Sequence, residues 1–290
     1  MACVVILPTF LLTGSIANAN PLEGWSGEAQ QMIRNLVATK AAEVLAGAPR
    51  PVAAFDCDNT LIDGDISNAT LVMRVGPASV AKAYRQYEEL WESGRNIEAC
   101  GYLAGLMGGM TFAEASALGR DALAKAEAQP RCMRHLPTGQ GQGQIEMEQG
   151  IRIRKPMVSL VAYLQAAGWE VYVVSASAQP VVEAVAARYG VLADHVLGVR
   201  TALQNGRLTG EVLAPVTWRK GKVDALRTRT GRRPALALGD AWTDFEMLID
   251  AEAAIIIDRG NASLRDAIRS RGGIIQPRFE GPEVITQCPQ

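Results

Sequence analysis

Residues 51–60 read Pro-Val-Ala-Ala-Phe-Asp-Cys-Asp-Asn-Thr, and polarity changes abruptly at Asp56. An apolar run of this length, without alternation and stopped by acidic and turn-forming residues, predicts a strand buried on both faces. Such a strand delivers Asp56, and Asp58 two residues on, to a loop at its carboxyl end. Three later segments repeat the pattern. Val171 to Val174 runs into Ser175, Ala235 to Leu238 runs into Gly239-Asp240, and Ala253 to Ile257 ends at Asp258. Helical stretches separate them: one opened by Pro156 and closed by Gly168, one over 180–189 and one over 222–230. Apolar strands alternating with helices predict an α/β fold with a doubly wound parallel sheet covered on both faces.

The series is interrupted after its first strand. Residues 67 to about 135 are rich in helical pattern, and Thr111-Phe-Ala-Glu114 spells a capping box. Tyr84, Tyr87, Trp91 and Tyr102 make this stretch dense in aromatics. Repeated Gly-Gln pairs over 138–150 predict a flexible loop. Upstream, residues 26–46 predict an amphipathic helix with Met32, Val37, Ala41 and Leu45 on one face, stopped by Gly47 and Pro49. The expected organisation is an N-terminal helix, first strand and acidic loop over 20–66, an inserted helical cap over 67–150, and the rest of the core over 151–290.

Composition narrows the function. The 290 residues carry a net charge of −1, with 48% apolar and 20% charged residues. That is the balance of an ordinary globular protein and lacks the basic excess of a nucleic-acid binder. No stretch of about 20 apolar residues predicts a membrane span. Ala2 to Leu12 is apolar, and Ala17-Asn18-Ala19 follows as a small-x-small cleavage signal. This order resembles a secretory signal peptide, although no Lys or Arg precedes the apolar run. Residues 1–19 are therefore expected to be a leader, placing the mature protein in the periplasm or outside the cell; without cleavage it would be cytoplasmic. Of the five cysteines, Cys3 would leave with the leader. Cys57, Cys100, Cys132 and Cys288 fit no zinc spacing. Cys100 and Cys132 could pair in an oxidising compartment, and unpaired thiols are equally compatible with the spacing. His135 and His195 have no partner pattern and read as surface or loop residues.

The polar residues at the strand ends suggest one chemistry. Ligands of open α/β sheets bind beyond the carboxyl ends of the strands, so Asp56, Asp58, Ser175 and Asp240, joined by Lys222, can meet in one pocket. A phosphate monoester is dianionic and repels a carboxylate nucleophile, so a site for it needs a cation. Mg²⁺ takes hard oxygen ligands and is commonly held by one or two carboxylates and phosphate oxygen. Asp56 and Asp240 would supply carboxylates, Lys222 and Ser175 would hold phosphate oxygens, and Asp58 could protonate the leaving group. Lys220 and Ser177 compete with Lys222 and Ser175 for their roles. Thr60 and Asn59 have strong turn habits and shape the loop. Cys57 should point away from its two acidic neighbours by alternation.

Taken in order, Asp56-Cys-Asp-Asn-Thr60, Ser175, Lys222 and Gly239-Asp240-Ala-Trp-Thr-Asp244 resemble the four motifs of the haloacid dehalogenase superfamily. The resemblance spans about residues 51–258. It implies Asp56 as nucleophile and Asp58 as acid/base. It also implies Mg²⁺ bound by Asp56, the Asp58 carbonyl and Asp240, with Asp244 in support. An aspartate at position 58 is the mark of the family's phosphatases and phosphomutases rather than its dehalogenases. The helical insert is similar to the cap of the phosphoserine phosphatase-like branch. Val174-Ser-Ala-Ser177, Val196-Leu-Gly-Val199 and the leader are similar to periplasmic phosphorylcholine phosphatases.

The function this implies is Mg²⁺-dependent hydrolysis of a small phosphomonoester of phosphocholine, phosphoethanolamine or phosphoserine type. A phosphomutase using the same aspartate pair, and a phosphate-binding protein without turnover, are the alternatives. The leader predicts that the protein recovered from its native host begins at Asn20; an intact Met1 found by mass spectrometry in the cytoplasm would reject export.

Overall fold

The computed structural model describes residues 20–137, 144–279 and 286–288, so the expected leader lies outside the described residues. In the core, helix α1 (Gly27–Leu45) is followed by strand β1 (Val52–Phe55) and the acidic loop. The core resumes with α6 (Lys155–Ala166), β6 (Glu170–Ala178), α7 (Gln179–Ala186), β7 (Val196–Gln204) and β8 (Arg207–Leu213). It continues through α8 (Lys220–Thr230), β9 (Leu236–Gly239), α9 (Phe245–Asp250), β10 (Ala253–Ile257), α10 (Ala262–Arg269) and β11 (Ile274–Gln276). The cap between them holds α2 (Ile66–Val75), α3 (Val80–Glu92), α4 (Asn96–Gly105), α5 (Phe112–Glu127), β3 (Cys132–Pro137) and β4 (Gln144–Gln149). Short strands β2 (Ile62–Asp63) and β5 (Arg152–Ile153) lead into it and out of it, and β12 (Thr286–Gln287) lies near the end of the chain.

The seven core strands are ordered β11-β10-β9-β1-β6-β7-β8. All neighbours are parallel except the β7–β8 hairpin at one edge. Alternation along β1 explains why both faces are covered. Ala53 and Phe55 face a layer containing Ile33, Met157, Leu160 and Val181, whereas Val52 and Ala54 face Leu226, Met247, Leu264 and Ile268. Strands β1, β6 and β9 are central, so their carboxyl ends are enclosed by neighbours, and the chain reverses its winding direction at β1. Ligand crevices form at such a switch point.

The cap joins the core at two crossings, and β2 pairs antiparallel with β5 there. Gly64 (φ +123°) and Gly150 (φ +80°) adopt backbone angles that L side chains rarely adopt. A Cβ on Gly64 would lie 2.7 Å from the Gly150 carbonyl, so the two crossings touch as well as bend. Helix α5 carries the capping box: Thr111 Oγ accepts from Glu114 N, and Glu114 accepts from Thr111 N. Leu71, Val80, Ala83, Tyr84, Leu136 and Met147 give the cap a small core of its own.

Several expectations are corrected. Helix α1 buries Ala29, Ile33, Val37 and Lys40, whereas Leu45 is 90% exposed. Lys40 is drawn in by salt bridges to Glu43 and Glu252. Part of the expected loop is ordered, because residues 144–149 form β4 and pair with β3; residues 138–143 lie outside the described residues. Cys132 is bonded to Cys288, not Cys100, since β12 runs alongside β3 and brings the two Cα atoms to 4.9 Å. Cys100 and Cys57 are buried free thiols.

The acidic loop is held from below by Arg154, which is 1% exposed. Its guanidinium donates to the carbonyls of Asn59, Thr60 (3.0 Å) and Ile62 (3.1 Å) and pairs with Asp63 at 3.4 Å. Removing it leaves buried carbonyls without a donor. Arg154→Met should cost about 3–5 kcal/mol in urea unfolding, the range for breaking a buried charged network. A cost below about 1 kcal/mol would mean that the loop holds its own shape.

Candidate active site

The loop after β1 is built by local hydrogen bonds. Asp56 N donates to Leu238 O at 2.9 Å, which fixes the acidic residue to the end of β9. Asn59 takes a left-handed conformation (φ 58°), which asparagine tolerates well, and the turn is closed by Asn59 N to Gly64 O at 3.0 Å. Thr60 Oγ1 donates to Asp240 Oδ1 at 3.1 Å and so joins this loop to the one after β9. Cys57 points into the apolar core, where burial pushes its thiol far above the normal range.

Lys222 is the centre of the site. It is fully buried, and its Nζ donates to Asp56 Oδ1 at 2.5 Å and to Asp244 Oδ1 at 2.6 Å. Lys220, the competing lysine, is exposed and pairs with Asp224 in its own helix. The difference comes from the start of α8. Arg219 takes a left-handed φ of 49°, anchored by Arg219 N to Thr243 O at 3.0 Å, and the first turn that follows carries Lys222 inward. Asp244 is spent on structure: its Oδ2 accepts from Asp240 N and Ala241 N, both at 3.1 Å. Gly239 must be glycine, because a Cβ there would lie 2.5 Å from the Asp244 Cβ.

Asp58 lies on the other side of Asp56. Its Oδ1 accepts from Ile66 N at 2.7 Å, in the first turn of α2, and its Oδ2 accepts from Ser177 Oγ at 2.6 Å. Ser175 Oγ is 3.5 Å from the same Oδ2 and accepts from Ser177 N at 3.1 Å. Both serines therefore converge here, and Thr217 Oγ1 donates to Ser175 O at 2.5 Å. Burial, with the charges of Asp65 and Asp56, holds the Asp58 carboxyl well above the usual carboxylate range. Burial also raises Asp56, to about 6, assisted by Asp244 and opposed by Lys222. Asp240 is pushed well above its usual value by burial and then by Asp56 and Asp244.

Asp56, Asp240 and Asp244 offer oxygens within 4.8 Å of one another. Three buried carboxylates, Asp56, Asp240 and Asp244, with the half-buried Asp58 beside them, outnumber the buried ammonium and the partly exposed Arg259 guanidinium, and the donors are all hard oxygens. That set fits a small divalent cation of the Mg²⁺ type. Asp244 is tied to the buried Lys222 and to two backbone amides, whereas the carboxylates of Asp56 and Asp240 meet only side chains, so Asp56 and Asp240 are the residues that would hold the ion.

Sequence reasoning missed three contributors. Arg154 braces the acidic loop from the far side of the cap insertion. Arg259 pairs with Asp240 Oδ2 at 3.4 Å, and the cap's Glu148 lies 3.5 Å from the same guanidinium. Arg259 directly follows Asp258, a strand end that the pattern had marked. Glu148 sat in the stretch expected to be loop. His195 is a packing residue, stacked on Tyr172 with ring centroids 4.4 Å apart and Nδ1 3.1 Å from Val171 O.

Acidic residues from two strand ends, gathered around one buried lysine beneath an inserted cap, define a hydrolase-type α/β site rather than a dinucleotide crevice. The chain belongs to the haloacid dehalogenase-like hydrolase family, whose profile matches residues 53–248. It is 39% identical over 114 residues to a phosphoserine phosphatase of Halobacterium salinarum, which is 38% of this chain and 54% of that protein. It is 30% identical over 110 residues to a phosphoserine phosphatase of Lactococcus lactis, which is 36% of this chain and 50% of that protein. The chain thus spans about half the length of the curated relatives it matches. A functionally unknown protein from Anaerococcus prevotii shares the fold, with a TM-score of 0.68 at 21% identity over 85% of this chain and 90% of that one.

The charge balance predicts a pH effect on the metal-free protein. Carboxylates whose folded pKa lies above the unfolded value bind protons more tightly when folded, so their contribution to stability falls as pH rises from about 4 through the folded pKa. Lys222→Met removes the compensating ammonium and raises those values further. In EDTA this variant should lose more stability, relative to wild type, at pH 8 than at pH 5. Equal losses at both values in chemical denaturation would contradict the assigned balance.

Proposed function

We propose that the protein is a Mg²⁺-dependent phosphomonoesterase that forms an aspartyl-phosphate on Asp56. The observation that carries this reading is the asymmetry between two neighbouring carboxyls. Asp56 is oriented by the Lys222 ammonium, whereas Asp58 is held by Ile66 N and Ser177 Oγ with its pKa pushed well upward. One is arranged to attack and the other to carry a proton, which is the division of labour a covalent phosphatase needs.

Asp56 Oδ attacks phosphorus in line, and the bond to the leaving oxygen breaks as Asp58 donates its proton to that oxygen. Asp58, now ionised, removes a proton from the water that attacks the aspartyl-phosphate and restores Asp56. Lys222 holds Asp56 in place and offers its charge to the phosphoryl oxygens, with Ser175 as a further donor. Mg²⁺ held by Asp56, the Asp58 carbonyl and Asp240 would offset the phosphate charge that otherwise repels a carboxylate.

The substrate proposed is a small phosphomonoester whose alcohol carries an ammonium group. The two phosphatase relatives support the reaction class. Asp65 and the row of Tyr84, Tyr87 and Trp91, with successive ring centroids 5.9 Å apart, support the cationic alcohol. Asp65 lies near enough to Asp58, Tyr84 and Tyr87 for its charge to act on all three. It also lines a cavity of about 170 Å³ between α2, α5 and β4. Action outside the cytoplasm is part of the proposal, and the Cys132–Cys288 bond supports it, since such bonds persist in oxidising compartments.

Release of inorganic phosphate from phosphocholine, phosphoethanolamine and phosphoserine, with and without Mg²⁺, tests the reading; no turnover of any of them would overturn it. Asp56→Asn should abolish labelling and turnover together. Asp58→Asn removes only proton transfer, typically about 10²–10⁴-fold. With an aryl phosphate it should give a burst of phenolate, then slow turnover, with phosphate trapped on Asp56. Label on another residue would refute the role assignments.

A further inference from the structure

We propose that Arg259 is a positioning residue that latches the cap to the core and ties cap closure to the occupancy of the metal site. The inference rests on the proposed function only in taking Asp240 as a cation ligand. One guanidinium spans the two bodies: Nη1 lies 3.4 Å from Asp240 Oδ2 in the core, and Nη2 lies 3.5 Å from Glu148 Oε1 in the cap.

Both ends of the latch are braced. On the core side, Asp258 accepts from Gly260 N at 2.8 Å and from Arg265 Nη1 at 2.9 Å, and Asp258 N donates to Gln276 O. These bonds fix the turn that presents Arg259. On the cap side, Glu148 Oε2 is held by Arg131 at 3.1 Å, and Arg131 reaches Asp63 at 3.4 Å. Asp63 in turn meets Arg154 under the acidic loop. Charges of alternating sign therefore run from Asp240 through Arg259, Glu148, Arg131 and Asp63 to Arg154, crossing from core to cap and back. Arg259 itself is 29% exposed, and both of its contacts are longer than a tight ionic hydrogen bond, so it is free to shift between its partners.

A cation on Asp240 repels the neighbouring guanidinium. Arg259 then gives up Asp240 and falls fully to Glu148, while Asp240 keeps its place through Thr60 Oγ1. Ion binding and the closed position of β4 thereby support each other, because the same arginine cannot serve both carboxylates at full strength once the ion arrives. Glu148 also lines the cavity next to Asp65, so its position bears on that cavity.

The test uses the full chain and two readouts that need no turnover. Calorimetric titration of MgCl₂ into the metal-free protein should give about 3- to 10-fold tighter binding for Arg259→Gln than for wild type, since a competing cation beside Asp240 is gone. Arg259→Lys keeps the charge and should stay near wild type, and Glu148→Gln, which weakens the cap's hold on Arg259, should bind more weakly. Amide exchange of residues 144–149 should slow by about fivefold on Mg²⁺ addition in wild type, at the low end of typical coupling, and not respond in Arg259→Gln. Equal Mg²⁺ affinity in wild type and Arg259→Gln, or the same exchange response in both, would overturn the latch. Absence of Mg²⁺ binding by wild type itself would instead overturn the reading of Asp240 as a ligand.

Discussion

The arrangement depends on one buried ammonium. Lys222 Nζ sits buried between Asp56 and Asp244, and Asp58 and Asp240 lie close by. Taken without the lysine, the buried carboxylates of Asp56, Asp240 and Asp244 would repel one another and refuse to ionise together, since burial alone penalises each charge. With it, Asp56 keeps a charge and an orientation. Much of the surrounding backbone serves this contact. The left-handed turn at Arg219 carries Lys222 inward, and Asp244 is tied to the amides of Asp240 and Ala241 so that its other oxygen faces the lysine. Gly239 gives Asp244 the space to do so.

Around that contact the molecule separates two tasks. The core sheet holds reacting groups rigidly, since the strand ends that carry them are flanked by hydrogen-bonded neighbours on both sides. The cap enters and leaves through paired short strands and two glycines at positive φ, which bend the backbone at little steric cost. It is fastened a third time where β12 pairs with β3 and Cys288 bonds Cys132.

Much of the core and of the site could be read from pattern. Strands without alternation announced burial on both faces, and of the polar residues placed at strand ends Asp56, Asp58, Ser175 and Asp240 reached the pocket, whereas Asp258 is held beside it by Gly260 N and Arg265. The misses share a cause. Helix α1 packs Met32 and Val37 inward as read but leaves Ala41 and Leu45 exposed and buries Lys40, which Glu43 and Glu252 meet, and no hydropathy pattern anticipates a buried lysine. Strand β4 escaped notice because Gln144 to Gln149 is polar on most positions and is ordered by pairing with β3. The partner of Cys132 was undecidable, since connectivity depends on where β12 docks.

By itself, the sequence determined the doubly wound sheet, the point at which the cap is inserted, and the types of group that meet at the strand ends. These follow from local periodicity and from the rule that parallel strands deliver their last residues to one edge. Only the tertiary structure decided which lysine serves the site, that Ser175 and Ser177 both face Asp58, and that Arg154 and Arg259 brace the acidic loops. The physical reason is range. Periodicity is a property of neighbours along the chain, whereas Lys222 meets Asp56 across 166 residues and Arg259 meets Glu148 across 111, distances that only packing brings to bonding length.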